Sequence, residues 1–283
     1  TTLFRSEIEA LLALPVCQDP YDIDALALLN YLVLMTYSLV SRLHPVAICR
    51  LVRLSIERGN SPSSAFGYTF YGSQLVYRGD MEGAYRFGRV ALALANRFGD
   101  KGALSQTYLY ATYMLTHWKV PLNELAPTFM EAYRHGVEAG SLFNAACSST
   151  THCISRFLSG SELGELSNDL VRFREVAITY RQTMVLSWHE TYQQAVLNLR
   201  GEATDPQRPA VMTGPIYDES VRVPQIDAAG DLPSQFNYRF CKGILCYLLG
   251  DPAEALAMAE ANAPLAVMFG TSVWAYSLPL WRS

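Results

Sequence analysis

Residues 61–100, SPSSAFGYTFYGSQLVYRGDMEGAYRFGRVALALANRFGD, decide the fold of this chain. The stretch begins with a serine and a proline, turns at Gly79-Asp80 and ends at Gly99-Asp100. Serine caps the beginning of a helix, proline fits its first turn, and glycine is the residue that most often ends one. The stretch therefore predicts two helices joined by a tight turn, which is a helical hairpin.

The hairpin pattern returns about every 40 residues along the chain, a period typical of helical repeat arrays. A second hairpin opens after Gly99-Asp100 and turns at Val120-Pro121. A third opens after Ala139-Gly140 and turns at residues 159–161, and the first helix of a fourth ends at Arg200-Gly201. A fixed period of hairpins indicates an α-solenoid, in which each hairpin buries its apolar face against its neighbours.

Apolar residues recur at steps of three and four within each predicted helix, for example over residues 104–118 and 163–180. The helix after Asp80 instead carries a stripe of small residues, namely Ala84, Gly88, Ala91 and Ala95. Small residues let neighbouring helices approach closely, and their alternation with aromatic residues is typical of tetratricopeptide-like hairpins. We therefore predict an all-α, tetratricopeptide-like α-solenoid of antiparallel helical hairpins.

The sequence predicts one continuous domain. Residues 1–60 form N-terminal helices of the solenoid, 61–201 the core hairpins, 202–233 a proline-containing loop, and 234–283 C-terminal repeat helices. Residues 202–232 carry prolines and no helical period, which predicts a mobile loop. The chain begins without methionine and stops soon after a helix begins, so we expect a truncated piece of a longer protein.

Composition excludes several classes of partner. Half of the residues are hydrophobic and the net charge is −4, which gives no electrostatic footprint for nucleic acid. The most apolar run, residues 26–40, is shorter than the roughly 20 residues that span a membrane. The six cysteines form no C-x-x-C pair, which predicts reduced core cysteines in a cytoplasmic protein. We predict no nucleic-acid partner and no membrane insertion.

No motif in the sequence argues for catalysis. The phosphate-binding loop of nucleotide hydrolases and the nucleophile elbow of serine hydrolases are both missing. His189-Glu190 begins a near match to the zinc motif H-E-x-x-H, but Gln193 stands where the second ligand would be. We therefore predict no enzyme, no metal and no cofactor. A helical enzyme that uses His117, His152 or His189 as general base ranks last, because no paired residue awaits activation.

A polar face on the first helix of each hairpin is the candidate site. Its residues step by three or four, so each set occupies one side of its helix. The first helices of tetratricopeptide-like solenoids line the concave side, which predicts a groove for a protein segment or small ligand. The candidate groove residues are Tyr71, Gln74, Arg78, Tyr110, Tyr113, His117, His152, Arg156, His189 and Gln193. In the alternative, the tyrosines pack between helices and only their polar tips meet water.

The residue types in this groove indicate the chemistry of its ligand. Arginine presents a fork that matches carboxylate or phosphate, and tyrosine offers a wide contact area. We expect a ligand with an acidic group beside an apolar one. Because an unperturbed histidine has a pKa near 6.5, we expect its binding to change with pH near 6 to 7.

Four short motifs resemble, in order, parts of a known family. They are GNSPSSAFGY at residues 59–68, His117-Trp118-Lys119, His152-Cys153 and LNLRG at residues 197–201. Together they resemble the long helical-repeat region of large multidomain bacterial signalling proteins. Those proteins carry a serine/threonine kinase-like domain, an AAA-type (STAND) ATPase and often a GAF domain and a sensor histidine kinase.

The resemblance covers roughly residues 45–270 and is clearest over residues 59–201. It implies a non-catalytic sensor or interaction segment that relays binding to neighbouring ATPase and kinase domains of a parent chain. Any kinase or ATPase activity of the family would lie outside this fragment, because none of its catalytic motifs occurs here. The alternative is a purely structural helical spacer with no ligand.

Overall fold

The computed structural model describes residues 8–39 and 41–276, although the side chains of residues 266–269 and 275–276 are not described. Over these residues the chain forms α-helices and short 3-10 helices, with no strand. Consecutive helices pack as hairpins, with α3 (Pro62–Val76) against α4 (Met81–Phe98) and α5 (Lys101–Met114) against α6 (Leu122–Glu138). The predicted all-α fold of antiparallel helical hairpins is confirmed.

Contacts within the chain divide it into two compact units, where the sequence predicted one continuous domain. Unit 1 comprises Thr1–Ala145 with Thr271–Val273, and unit 2 comprises Ala146–Gly270 with Trp274–Ser283. The boundary between residues 145 and 146 falls within α7 (Leu142–Leu158).

Unit 1 also contains three helical elements before α3. They are a 3-10 helix at Ile8–Ala13, α1 at Pro20–Ser38 and α2 at His44–Arg58. A second 3-10 helix, Thr116–Trp118, follows α5. The helix predicted over residues 3–14 is thus a 3-10 helix over residues 8–13, and residues 3–7 lie outside the described residues.

Unit 2 continues with α8 (Leu163–Thr179), α9 (Thr183–Leu199), α10 (Glu219–Ala228), α11 (Leu232–Leu249) and α12 (Pro252–Phe269). Helix α8 packs on α9, α9 on α11, and α11 on α12. The helix predicted from residue 273 onward is a 3-10 helix, Val273–Tyr276, and its continuation lies outside the described residues.

The turns and the stripe of small residues behave as the sequence predicts. The Asp80 side chain caps α4 by accepting a hydrogen bond of 2.9 Å from the Gly83 N–H. An added Cβ at Gly72 would lie 2.9 Å from Leu115 Cδ1, and one at Gly88 would lie 3.1 Å from Leu115 Cβ. Both distances are too short for a normal contact, so these glycines are what lets α3 and α4 pack closely on Leu115.

The segment predicted as a loop over residues 202–233 is not a loop throughout, so that prediction is wrong. Residues 219–228 form α10, with Pro224 inside it. The helix forms because Asp218 caps its first turn by accepting from the Ser220 N–H at 2.9 Å, and because Ile226 is buried. Met212 and Tyr217, which precede the helix, are also buried, so the segment has an apolar anchor that its prolines concealed.

Candidate functional site

The ten predicted groove residues fall into both units. Unit 1 holds Tyr71, Gln74, Arg78, Tyr110, Tyr113 and His117, and unit 2 holds His152, Arg156, His189 and Gln193. Half of the ten side chains are buried, namely Tyr110, Tyr113, His117, His189 and Gln193. The surrounding protein therefore covers these five side chains.

Tyr110 belongs to an aromatic cluster inside unit 1. Its ring centroid lies 5.4 Å from that of Phe66, 5.5 Å from that of Phe70 and 6.2 Å from that of Tyr37. Edge and tilted contacts of this kind are the preferred geometry of packed aromatic rings. Tyr110 therefore follows the alternative interpretation, in which a tyrosine of the first helices packs between helices.

His117 lies in the interior of unit 1 and is 1% exposed. Its Nε2 lies 2.9 Å from the backbone oxygen of Thr271, so this nitrogen carries the proton and donates it. Burial lowers the pKa of His117 to about 4. The ring is therefore neutral at pH 6 to 7, which corrects the expectation that His117 makes binding sensitive to pH in that range.

His189 plays the same part in unit 2. Its Nε2 lies 2.7 Å from the Leu170 backbone oxygen, and its Nδ1 lies 3.1 Å from the Thr150 hydroxyl. Both ring nitrogens are thus used inside the fold, and burial lowers the pKa of His189 to about 4. The expected pH response near 6 to 7 is wrong for this residue too, because desolvation disfavours the charged ring.

Arg156 and His152 lie half-buried in unit 2 against carboxylates of α8. The Arg156 guanidinium contacts Asp169 and lies 3.1 Å from Glu165. His152 Nε2 lies 3.7 Å from the same Asp169 carboxylate. A carboxylate ligand at Arg156 would therefore have to displace carboxylates that the chain itself supplies.

Gln193 and Glu190 complete the near match to the zinc motif, and neither has the environment of a metal ligand. Gln193 is 4% exposed, and among the described residues its side-chain oxygen has no hydrogen-bond partner. Glu190 is buried and paired with Arg174 at 2.8 Å and with Arg222 at 3.3 Å. Across the described ranges, no three His, Cys, Asp or Glu side chains are grouped so that they could hold a metal ion.

A cleft of about 460 Å³ opens in unit 1 where α3 ends and α4 begins. Two of the predicted residues, Tyr71 and Arg78, line it, while Gln74 lies half-buried elsewhere on α3. The apolar part of the lining comes from Ile8, Leu75 and Phe87, with the Tyr71 ring 5.0 Å from that of Phe87. The cleft therefore combines an apolar lining with the positive charge of Arg78, one of the predicted groove residues.

The other charged side chains that line this cleft already have partners within the chain. The Arg86 guanidinium pairs with Glu9 and lowers the pKa of that carboxyl to about 2. Glu82 lies 3.0 Å from Lys119, and Asp80 caps α4. Arg78 is exposed and has no ion-pair partner in the part of the chain that the structure describes. Arg78 is therefore the cation in the cleft that is available to a ligand.

Unit 2 contains a buried ion pair that was not predicted from the sequence. Lys242 Nζ lies 2.9 Å from both carboxylate oxygens of Glu219, with the lysine side chain only 8% exposed. The signal in the sequence is a lone lysine between Phe240-Cys241 and Gly243-Ile244, an apolar setting in which a charge must be paired. These ions hold α10 to α11.

The structure bears on two of the predictions made from composition, those on membrane insertion and on the cysteines. No helix among the described residues is long and apolar enough to cross a membrane. Five of the six cysteines are buried as predicted, whereas Cys49 on α2 is exposed. All six are free thiols.

A comparison of the sequence with protein-family models finds no matching family, and a comparison with curated proteins finds no match. The resemblance to the helical-repeat region of bacterial signalling proteins therefore stays a prediction.

Proposed function

We propose that this chain is a non-catalytic interaction segment whose cleft in unit 1 binds a small ligand or protein segment with a carboxylate beside an apolar group. The observation that supports the proposal is the exposed Arg78, which has no ion-pair partner among the described residues and lines a cleft with Tyr71, Leu75 and Phe87. An arginine fork accepts a carboxylate with two parallel hydrogen bonds, while the apolar lining accepts the adjoining group.

The acidic side chains that line the cleft determine which kind of anion fits. Asp80 and Glu82 lie beside Arg78 in the same lining and oppose a second negative charge. A single carboxylate thus suits the cleft better than a phosphate, which carries nearly two charges at neutral pH. Tyr71 adds a flat ring against which an aromatic or aliphatic group of the ligand packs.

The family resemblance supplies the wider role in this proposal. Binding in the cleft would be relayed in the cytoplasm to neighbouring ATPase and kinase domains of a parent signalling protein. Such a relay requires that the ligand bind two states of the segment with different affinity. Any catalysis would belong to those neighbouring domains.

A structural spacer with no ligand is the second candidate function. The burial of Tyr110, His117 and His189 favours it, because each of these predicted contact residues is instead part of a unit's own packing. The spacer and the interaction segment differ in one respect that can be measured, which is whether Arg78 binds a carboxylate.

Ligand-observed NMR with 3-phenylpropionate as probe tests the proposal. We expect saturation transfer from the intact chain to this probe, and at least about tenfold weaker binding after Arg78→Gln, since a charged hydrogen bond contributes about 1.5–3 kcal/mol. The control Arg134→Gln removes an exposed arginine of α6 and should leave binding unchanged. Equal binding to Arg78→Gln, or equal binding of the uncharged 3-phenylpropanol, would overturn carboxylate binding by Arg78, and an absence of saturation transfer to the probe would support the spacer.

A further inference from the structure

The outward side of α1 is apolar, the reverse of the usual arrangement for a helix at a protein surface. We call its large exposed side chains the outer stripe, namely Leu28, Tyr31, Leu32, Met35 and Leu39, which are between 47% and 77% exposed. The opposite side of the helix packs into unit 1, where Leu26 and Val33 are fully buried. The helix therefore presents two apolar sides, of which unit 1 covers one.

Two further large apolar side chains are exposed at the beginning of α2. Leu43 and Val46 are each 64% exposed. A contiguous exposed patch of large apolar side chains marks an interaction site in most proteins, because leaving it in water is unfavourable. A stable interface buries about 800 Å² on each partner, so both helices would contribute to it.

The charges at the two ends of the outer stripe are complementary to each other. Asp24 lies four residues before Leu28, on the same side of α1, and Arg42 lies in the turn after the helix. Both are exposed, and within the described residues neither has an ion-pair partner. Position 33 is midway between Tyr31 and Met35 on α1, and Arg42 follows the last turn of the helix, where the Ser41 N–H donates to the Thr36 oxygen at 2.9 Å.

We propose that the outer stripe is the interface of a two-fold symmetric homodimer, in which α1 packs antiparallel against α1 of a second copy. A two-fold axis at the level of residue 33 places Asp24 against the partner's Arg42 twice, and Tyr31 against the partner's Met35 twice. Antiparallel packing also opposes the two helix dipoles favourably. Two-fold dimers with self-complementary surfaces are the commonest oligomers of soluble proteins.

A lipid surface fits the outer stripe less well than a second copy does. Helices that lie on membranes carry lysine and arginine on their polar side, and α1 contains neither residue. Asp24 within the stripe would also be repelled by anionic headgroups. The self-complementary charge pattern therefore favours a protein partner with the same pattern.

Sedimentation velocity of the full chain at micromolar concentrations tests the proposal. We expect a dimer that Leu28→Glu weakens at least about tenfold, because a charge would replace a buried contact at the interface. Arg134→Asp on α6 is the matched control and should leave the dimer intact. Circular dichroism melting checks that every variant remains folded.

Charge reversal distinguishes this interface from any other. Asp24→Arg alone and Arg42→Asp alone should each lose the dimer, because like charges then face each other. An equimolar mixture of these two variants should form a heterodimer, since both ion pairs are restored there, one with its original polarity and one with reversed polarity. A monomeric full chain, a dimer insensitive to Leu28→Glu, or a mixture that stays monomeric would overturn the proposal.

Discussion

His117 and His189 show how single residues acquire roles that a sequence pattern does not reveal. The sequence assigns both to a groove, His117 on the helix from Lys101 and His189 on α9. His117 instead lies in the 3-10 helix Thr116–Trp118 after α5 has ended, and each ring donates a hydrogen bond to a backbone oxygen inside its own unit. The acceptor of His117 is Thr271, which lies 154 residues further along the chain. Helical spacing tells which residues share a side of a helix, but the contacts across such distances decide whether that side is covered.

The buried histidines lead to a prediction about stability and pH. Their pKa is about 4 in the folded chain and near 6.5 when unfolded, so the unfolded state binds more protons between these values. The free energy of unfolding should therefore be highest above pH 6.5 and fall as the pH is lowered toward 4. Each of the two residues contributes a loss on the order of 2 kcal/mol by pH 5.

Urea denaturation at pH 7, 6 and 5 measures this loss. Ordinary carboxyl groups titrate mainly below this window, so the decline between pH 7 and 5 reports on histidines. His189→Gln should reduce the slope of stability against pH. Stability that is unchanged from pH 7 to pH 5 would contradict the burial of these rings.

At the scale of elements, a buried amide of α9 bonds to the segment between α9 and α10. The Asn198 side-chain nitrogen donates to the Pro209 oxygen at 2.8 Å and to the Val211 oxygen at 2.7 Å. Asn198→Ala would leave both carbonyls without this donor, at a cost of about 1–3 kcal/mol. We expect limited proteolysis to cut residues 202–218 faster in this variant.

The matched control for that experiment is Asn96→Ala on α4, which removes an exposed amide bonded to the Tyr108 hydroxyl. It should leave cleavage of residues 202–218 unchanged. Equal cleavage rates in the wild-type chain and in Asn198→Ala would show that the segment is held by other contacts, such as the buried Met212 and Tyr217.

The helix stripes make a second prediction at this scale. Leu170 on α8 is 1% exposed, while its neighbour Val171 is 53% exposed. Leu170→Ala should lower the free energy of unfolding by about 2–5 kcal/mol, since it leaves a cavity in the core of unit 2. Val171→Ala should change it by less than about 0.5 kcal/mol. Equal effects in chemical denaturation would contradict the assigned orientation of α8.

For the whole molecule, local signals predicted the helices well but did not predict which of the groove residues are buried. Capping residues, glycine turns and the small-residue stripe place α3 to α9 within a few residues of the predicted bounds. Helix α10 was missed because its stability comes from the Asp218 cap and a buried Ile226, and its prolines indicate a loop. The division into two units, and the burial of half of the predicted groove residues, depend on packing between distant segments, for which a single sequence carries no local signal.

The cleft in unit 1 contains two residues of the predicted groove, Tyr71 and Arg78. The proposed interaction role depends on Arg78. The most direct measurement is the NMR signal of the Arg78 side-chain Nε–H during titration with 3-phenylpropionate, assigned by its loss in Arg78→Gln. We predict a saturable shift of this signal, with the Arg134 Nε–H signal unmoved. An Arg78 signal that does not change while the probe is in excess would contradict carboxylate binding in the cleft and leave the structural spacer as the function.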